Sequence, residues 1–162
     1  MAYTQRRPIL LVRPTSLPSV VASAADEIDV VFGAVLGGEI AVAESVKTQI
    51  DAIITDNGGP VSERWYGADR YATAARIAQE GADNGLNEWA YLGIATGANF
   101  PDALAGGVAC GERGGVVLLT APAYLPPASA DALGMFGDIV ARCEVFGGSA
   151  AVEPEVGAAI QD

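Results

Sequence analysis

Histidine is absent from this chain, lysine occurs once, cysteine twice, and aromatic residues make up only 7% of the sequence. Without histidine, neither a Ser-His-Asp nor a Cys-His catalytic arrangement can be assembled. Cys110 and Cys143 do not form a CxxC pair, so with no histidine beside them a zinc site is not expected. Cations are scarce as well: one Lys and eight Arg face 20 Asp and Glu, for a net charge of -11. Binding to a nucleic-acid backbone needs clustered cations, and an anionic membrane surface needs a basic one, so both partners are argued against. Acidity also serves simply to keep an Ala-rich surface soluble. No apolar run approaches the roughly 18 to 20 residues of a spanning helix. Met1 to Arg7 is polar and no signal-type apolar core follows it. The chain therefore reads as soluble, with any export signal removed or carried by a longer parent protein. P-loop and GxGxxG patterns are missing, and Gly33-Ala-Val-Leu-Gly37-Gly38 has the wrong spacing for a phosphate cradle.

What the sequence does contain is ample core material and regular punctuation. Apolar residues form 51% of 162 positions, and 20 Gly and nine Pro break the chain into short elements. One internal repeat organises these elements. Pro-Ile-Leu-Leu-Val at 8 to 12, followed by Leu17-Pro18, returns as Val-Val-Leu-Leu-Thr at 116 to 120, followed by Leu125-Pro126, an offset of 108. Leu36-Gly37-Gly38, Ala41-Val42, Val46 and Ile50 return as Phe146-Gly147-Gly148, Ala151-Val152, Val156 and Ile160, an offset of 110. Each copy reads as strand, Leu-Pro turn, helix, strand, Gly-Gly turn, helix. Val42, Val46 and Ile50, and likewise Val152, Val156 and Ile160, recur every four residues and share a helical face. Apolar runs at 9–12, 29–36, 116–119 and 139–146 lack polar alternation, as strands buried on both faces of a parallel sheet do.

A stretch from about Val61 to Gly115 occurs once. It predicts a strand over Val61 to Tyr66, a helix opened by Asp69 as N-cap with Tyr71, Ala74, Ala75 and Ala78 along one stripe, and a strand over Ala90 to Thr96. After the turn Gly97-Ala98-Asn99-Phe100-Pro101-Asp102, a second helix runs to about Cys110, started by Pro and Asp where free N–H groups and the dipole favour them. Gly106-Gly107 inside that helix costs on the order of 1 kcal/mol per Gly relative to Ala, which a close approach of helix to sheet would repay. Ala103, Ala105 and Ala109 are read as the small face that permits this approach. Cys110 at the helix end and Cys143 at a strand start fall at one edge of the expected sheet. They are open to a disulfide in an oxidising compartment or to two buried thiols.

The segments Arg64-Trp-Tyr-Gly-Ala-Asp-Arg-Tyr-Ala-Thr-Ala-Ala-Arg-Ile-Ala78 and Ala95-Thr-Gly-Ala-Asn-Phe-Pro-Asp-Ala-Leu-Ala105 resemble the two signature blocks of the type 2 cell-wall-binding repeat of Gram-positive bacteria. The Val116-Val-Leu-Leu-Thr…Leu125-Pro and Phe146-Gly-Gly…Ala151-Val blocks look like the same repeat, in the same order. On this resemblance residues 61–162 form one complete repeat and residues 1–60 the second half of a preceding one. The resemblance implies an α/β fold of parallel-sheet βα repeats, Toprim-like or Rossmann-like with three layers, α/β/α, and repeats that commonly occur in threes around a pseudo-threefold axis. It also implies a non-catalytic, extracellular module that anchors an exported protein to an anionic cell-wall polysaccharide, with no cofactor. Two departures stand out. The chain starts in mid-repeat, pointing to a longer parent chain or to a homo-oligomer in which another copy supplies the rest. A strongly acidic module also needs local Arg or a bridging cation to hold an anionic polymer.

Candidate ligand-binding residues gather at the two strand-to-helix turns of the unique stretch: Arg64, Asp69, Arg70 and Tyr71 around the first, Asn99 and Asp102 around the second. In an open parallel sheet such turns lie at the carboxyl ends of strands, where ligands usually bind. Arg70 suits phosphate or carboxylate, Asn99 suits sugar hydroxyls, and Tyr66, Tyr71 or Tyr124 suit stacking on sugar rings. The same residues have structural readings: Asp69 and Asn99 as helix caps, Arg70 bridged to Asp102 or Asp69, and Tyr71 in the buried stripe. Asp69 and Asp102 as a glycosidase carboxylate pair is disfavoured, because helix starts account for both. Three functions remain on the table: a wall-polymer binder using grooves between repeats or subunits, a self-assembly module, and a Rossmann-like small-molecule binder that the fold alone would permit.

Overall fold

A computed structural model describes residues 7–160. The elements alternate as α1 (Ser19–Glu27), β1 (Ala34–Leu36), α2 (Glu44–Asp56), β2 (Glu63–Trp65), α3 (Arg70–Asp83), β3 (Tyr91–Thr96), α4 (Pro101–Gly111), β4 (Val116–Thr120), α5 (Pro127–Phe136), a 3-10 turn (Gly137–Ile139), β5 (Arg142–Phe146) and α6 (Pro154–Ala159). All ladders are parallel, so the fold is α/β. The chain divides into two compact units, residues 9–68 and a larger one built mainly from residues 69–160. None of the helices among the described residues is long and apolar enough to cross a membrane.

In the larger unit the strand order is β4-β3-β5, with β3 in the middle and every one of its residues buried. Leu92 and Ile94 of β3 and Val116 and Leu118 of β4 pack with Ala78 of α3 and Ala132 of α5, so these two helices cover one face. Gly93 points the other way. A Cβ there would lie 2.5 Å from Cys110 Sγ on α4 and 2.8 Å from the Phe146 ring, which places α4 on the opposite face and gives the unit helix, sheet and helix layers. Gly106 explains how α4 comes so close, since a Cβ there would sit 2.7 Å from the Phe146 ring. Gly107 has nothing within 4 Å, so the expected close approach holds for one glycine of the pair. Ala105 is likewise exposed; the packed side of α4 is carried by Gly106 and Cys110.

The smaller unit pairs β1 with β2, and Val35, Val42 and Val46 form its core with Val12, Leu17 and Ile50 packed against them. The repeat is visible bond by bond. Pro18 O accepts from the N–H groups of Val21 and Ala22, as Pro126 O does from Ser129 and Ala130. Gly38 O accepts from Ala41 and Val42, as Gly148 O does from Ala151 and Val152. Ala43 N–H reaches Pro14 O at 2.7 Å, and Glu153 N–H reaches Pro122 O at 2.8 Å. Gly37 and Gly147 share φ of 113°, a left-handed value that disfavours a side chain at the turn and accounts for the recurring glycine.

Three expected strands are cut back: that at 139–146 begins only at Arg142, after the 3-10 turn, and is mostly exposed, and those at 9–12 and 29–36 lose more. Residues 9–12 form no strand, and Ile9 and Leu11 are exposed. Their repeat partner β4 is held by β3, and residues 9–68 contain no third strand to play that part. Parallel strands gain their hydrogen bonds only from a neighbour, so an apolar run without one stays unpaired. Residues 29–33 are also outside the ladder, which starts at Ala34. The cysteines form neither a disulfide nor a buried pair: both thiols are free, Cys110 buried and Cys143 exposed. Burial pushes the Cys110 thiol up to about 11.

Tyr91 OH donates to Glu144 Oε2 at 2.5 Å, tying β3 to β5, and Arg142 Nε donates to Glu144 Oε1 at 2.7 Å. The Tyr91 bond, then that from Arg142, holds the Glu144 carboxyl below its ordinary value. The same bond to Glu144, followed by burial, raises the Tyr91 hydroxyl above its own. A lowered carboxylate adds stability that is present above its unfolded pKa and is lost as pH falls through the folded one. A raised phenol adds stability that is present below about 10 and is lost as pH climbs through the folded value. We therefore expect unfolding midpoints to drop at both extremes, and Tyr91→Phe to flatten both arms in a pH series of chemical denaturation. The α4 glycines give a second test. Gly106→Ala is expected to destabilise by about 1–3 kcal/mol through collision with Phe146, whereas Gly107→Ala is expected to stabilise by about 0.5–1 kcal/mol through helix propensity, both read from thermal melts.

Candidate functional site

The carboxyl ends of β3 and β4 carry a cleft of about 300 Å³ lined by Arg70, Thr96, Gly97, Ala98, Asn99, Phe100, Ala103 and Leu119. Its floor is set by backbone bonds. Gly97 N–H donates to Thr120 O at 2.8 Å, and Thr96 Oγ1 accepts from Ala98 N–H at 3.2 Å, so the chain leaves β3 in a fixed direction. Arg70 Nη1 then donates to Gly97 O at 2.5 Å. A Cβ on Gly97 would fall 2.6 Å from Tyr71 Cε1 and 3.2 Å from Arg70 Cδ, so only glycine lets α3 sit this close to the β3 exit. Thr120 Oγ1 lies 3.1 Å from the carbonyls of both Ala121 and Tyr124, which share its one hydrogen, fixing the exit from β4 in the same way.

Besides Thr96, whose hydroxyl is taken by Ala98 N–H, two polar side chains line this cleft, Arg70 and Asn99, beside an exposed phenyl ring, Phe100, which is 78% accessible. A guanidinium has five N–H donors, and the bond to Gly97 occupies one while orienting the group. The remaining donors suit an anionic oxygen, the amide suits hydroxyls, and the phenyl ring suits an apolar sugar face.

The other expected residues stand around this centre. Asp69 is the N-cap of α3, its Oδ1 accepting from Tyr71 N–H at 2.9 Å and Ala72 N–H at 2.8 Å. Tyr71 is half-buried with its ring against Gly97. Asp102 lies in the first turn of α4, its carboxylate beside Gly147 at the end of β5. Asn99 does not cap α4, whose N-cap is Phe100. Arg70 bonds the Gly97 carbonyl rather than Asp69 or Asp102.

Arg64 belongs to the smaller unit. Its side chain is 11% accessible, with Nη1 2.9 Å from both Gly37 O and Val42 O and Nη2 3.0 Å from Glu44 Oε2. There it closes the Gly-Gly turn after β1. Sequence reasoning assigned ring stacking to tyrosines and passed over Phe100, Thr96 and Leu119. An aromatic residue directly before a proline-started helix, at the carboxyl end of a buried strand, was the signal for Phe100. Among the described residues no three His, Cys, Asp or Glu side chains gather as metal ligands.

The profile of the cell wall binding domain 2 family matches residues 64–157, a segment that contains the whole cleft. Among solved structures the fold is similar to Cwp6 from Clostridium difficile, with a TM-score of 0.84 and 22% identity over 99% of this chain and 24% of that one. It is also similar to Cwp8 from Clostridium difficile, with a TM-score of 0.74 and 21% identity over 98% of this chain and 25% of that one. The chain thus spans about a quarter of the length of these structures. Comparison with curated proteins finds no match.

The cap geometry predicts how Asp69 responds to substitution. Asp69→Ala is expected to cost about 1 kcal/mol of stability, while Asp69→Asn, whose amide oxygen still accepts from the α3 N–H groups, is expected to stay within a few tenths of a kcal/mol of the parent in denaturant titrations.

Proposed function

The chain belongs to the cell wall binding domain 2 family and is a cell-wall-binding module, and we propose that it grips an anionic wall polysaccharide in the cleft at the ends of β3 and β4. In this reading Arg70 pairs with an acidic group of the polymer, Asn99 bonds hydroxyls, and Phe100 stacks on a sugar ring. Asp69, Tyr71 and Asp102 hold the turns that present them, and Arg64 closes the Gly-Gly turn after β1 in the smaller unit. Residues 61–162 then act as one complete repeat and residues 1–60 as the second half of another, on an exported protein held at the cell surface without covalent attachment.

The observation that carries this reading is the meeting of an oriented arginine, an amide and an exposed ring in one cleft inside the family-matched segment. The net charge of -11 supports a local grip over a diffuse attraction, since the whole chain repels a polyanion at long range.

Cosedimentation with purified wall glycan tests it. Loss of a charge-assisted contact is worth about 1.5–3 kcal/mol, so Arg70→Ala is expected to weaken binding roughly ten- to a hundred-fold, and Asn99→Ala and Phe100→Ala by smaller factors. Raising salt from about 0.01 to 0.1 M shortens the screening length from about 30 to 10 Å. Affinity is therefore expected to rise over that range as long-range repulsion fades before the short Arg70 contact does. Unchanged binding in all three variants would overturn the assignment to this cleft.

A further inference from the structure

A second cleft, of about 180 Å³, lies at the other end of β4, where Ile77 and Ala78 of α3, Gly107 and Cys110 of α4, Val117 of β4 and Asn87 from the loop before β3 line it. Helices α3 and α4 cover opposite faces of the sheet, so a cleft reached by both runs along the outer edge of β4, the end strand of the β4-β3-β5 sheet. No charged side chain lines it. Asn87 is 9% accessible, and its Oδ1 has no hydrogen-bond partner among the described residues. Leaving a buried acceptor unpaired is costly, yet the amide has a place built for it: a Cβ at Gly81 would lie 2.0 Å from Asn87 Nδ2, so glycine there makes room. The two clefts follow one another along the same elements. Leu119 lines the first and Val117 the second, and alternate residues of a strand share a face. Ala103 lines the first and Gly107 the second, about 6 Å apart along α4. Nothing lies within 4 Å of the place a Gly107 Cβ would take, so α4 leaves the passage open there.

We propose that this second cleft binds the acetamido group of a neutral N-acetylated sugar. An acetamido group joins a methyl, which suits the apolar walls of Ile77, Ala78 and Val117, to an amide N–H, which the unpaired Asn87 Oδ1 accepts. Binding supplies the donor that the folded chain lacks, and a site with a buried acceptor in wait discriminates against analogues that cannot donate. The neutral lining sets this cleft apart from the first. A carboxylate or phosphate here would lose its water with no cation beside it, whereas Arg70 stands at the other cleft. A cavity of about 150 Å³ holds a benzene ring, so the space also takes the adjoining edge of the sugar ring. The acetamido assignment stands on the second cleft alone; that one glycan lying along the edge of β4 meets both clefts rests on the function proposed above.

The test is a titration of the full chain with N-acetylglucosamine and, in parallel, with glucose, followed by NMR of the Asn87 side-chain amide and the Gly107 and Val117 backbone amides. N-acetylglucosamine is expected to shift these signals saturably, and glucose, which lacks the methyl and the N–H, to bind at least about ten-fold more weakly. Asn87→Leu keeps the volume and removes the acceptor, while Gly107→Leu fills the passage at a position where a side chain meets nothing. Each is expected to weaken N-acetylglucosamine binding by about ten-fold or more, with the fold checked by thermal melts. Equal binding of glucose, or undiminished binding by both variants, would overturn the proposal. Tighter binding of an Nε-acetyllysine peptide than of N-acetylglucosamine would overturn the sugar and assign the cleft to acetylated protein. The sugar probes are neutral and the first cleft is tested with an anionic glycan, so either assignment can fail without the other.

Discussion

A strand in a parallel sheet cannot pair with its predecessor across a tight turn, so it depends on a neighbour delivered by a crossover helix. In the larger unit β3 has both neighbours, and its six residues are all buried. The remaining features follow from that central position. Both faces of β3 must be covered, α3 and α5 do so on one side, and α4 does so on the other only because Gly93 and Gly106 leave room for Phe146 and Cys110. The strand ends in a loop whose path is held by bonds from Gly97 to Thr120 and from Arg70 to Gly97. A cleft at that end is the open space left where two adjacent parallel strands stop and their crossovers diverge.

Arginine is scarce here, and two of the eight do comparable work at strand ends. Arg64 crosses to the carbonyls of Gly37 and Val42, and Arg70 crosses to that of Gly97. Carbonyls at such exits have lost their ladder partners, and a guanidinium satisfies several of them from one rigid fork. The difference lies in what remains. Arg64 is nearly buried and adds a carboxylate from Glu44, so its donors are spent inside the protein. Arg70 is exposed, with its bond to the Gly97 carbonyl holding it at the mouth of a cleft. The same side chain thus stabilises a turn in one setting and is free to meet an anion in the other.

Much of the architecture was legible before any coordinates. The offset of 108 and then 110 located equivalent turns, and the bonds at Pro18 and Pro126, Gly38 and Gly148, and Ala43 and Glu153 repeat at those offsets. The Tyr71-to-Ala78 stripe located α3, and its last residue, Ala78, is buried in the core. What was not legible depended on partners. Residues 9–12 have the composition of a buried strand, but composition says nothing about whether a neighbour is present. Gly106 and Gly107 are indistinguishable in sequence, and only the rotation of α4 decides which faces Phe146. Arg64 and Arg70 both flank a strand-to-helix turn, and the burial that separates them comes from tertiary packing. Within the cleft, Arg70 and Asn99 were anticipated from their place at strand ends, whereas Phe100 was hidden by the expectation that sugar stacking would fall to tyrosine.

The unequal exposure of Val35, 6%, and of its repeat counterpart Val145, 44%, bears on how such repeats are bounded. The motif that recurs in sequence starts at one strand and ends at the following Gly-Gly turn and helix, yet the pairing that buries its last strand comes from residues beyond that boundary. The unit of sequence repetition is therefore shifted by one strand from the unit of packing. That shift is physically sensible for a repeat module, because nearest-neighbour contacts carry much of the stability of stacked repeats. A sheet whose edge is completed by the next segment couples neighbours through backbone hydrogen bonds, which tolerate side-chain divergence. The arginine that accompanies the completing strand adds directionality, since its fork fits the carbonyls of a Gly-Gly turn at only one end of the strand it joins.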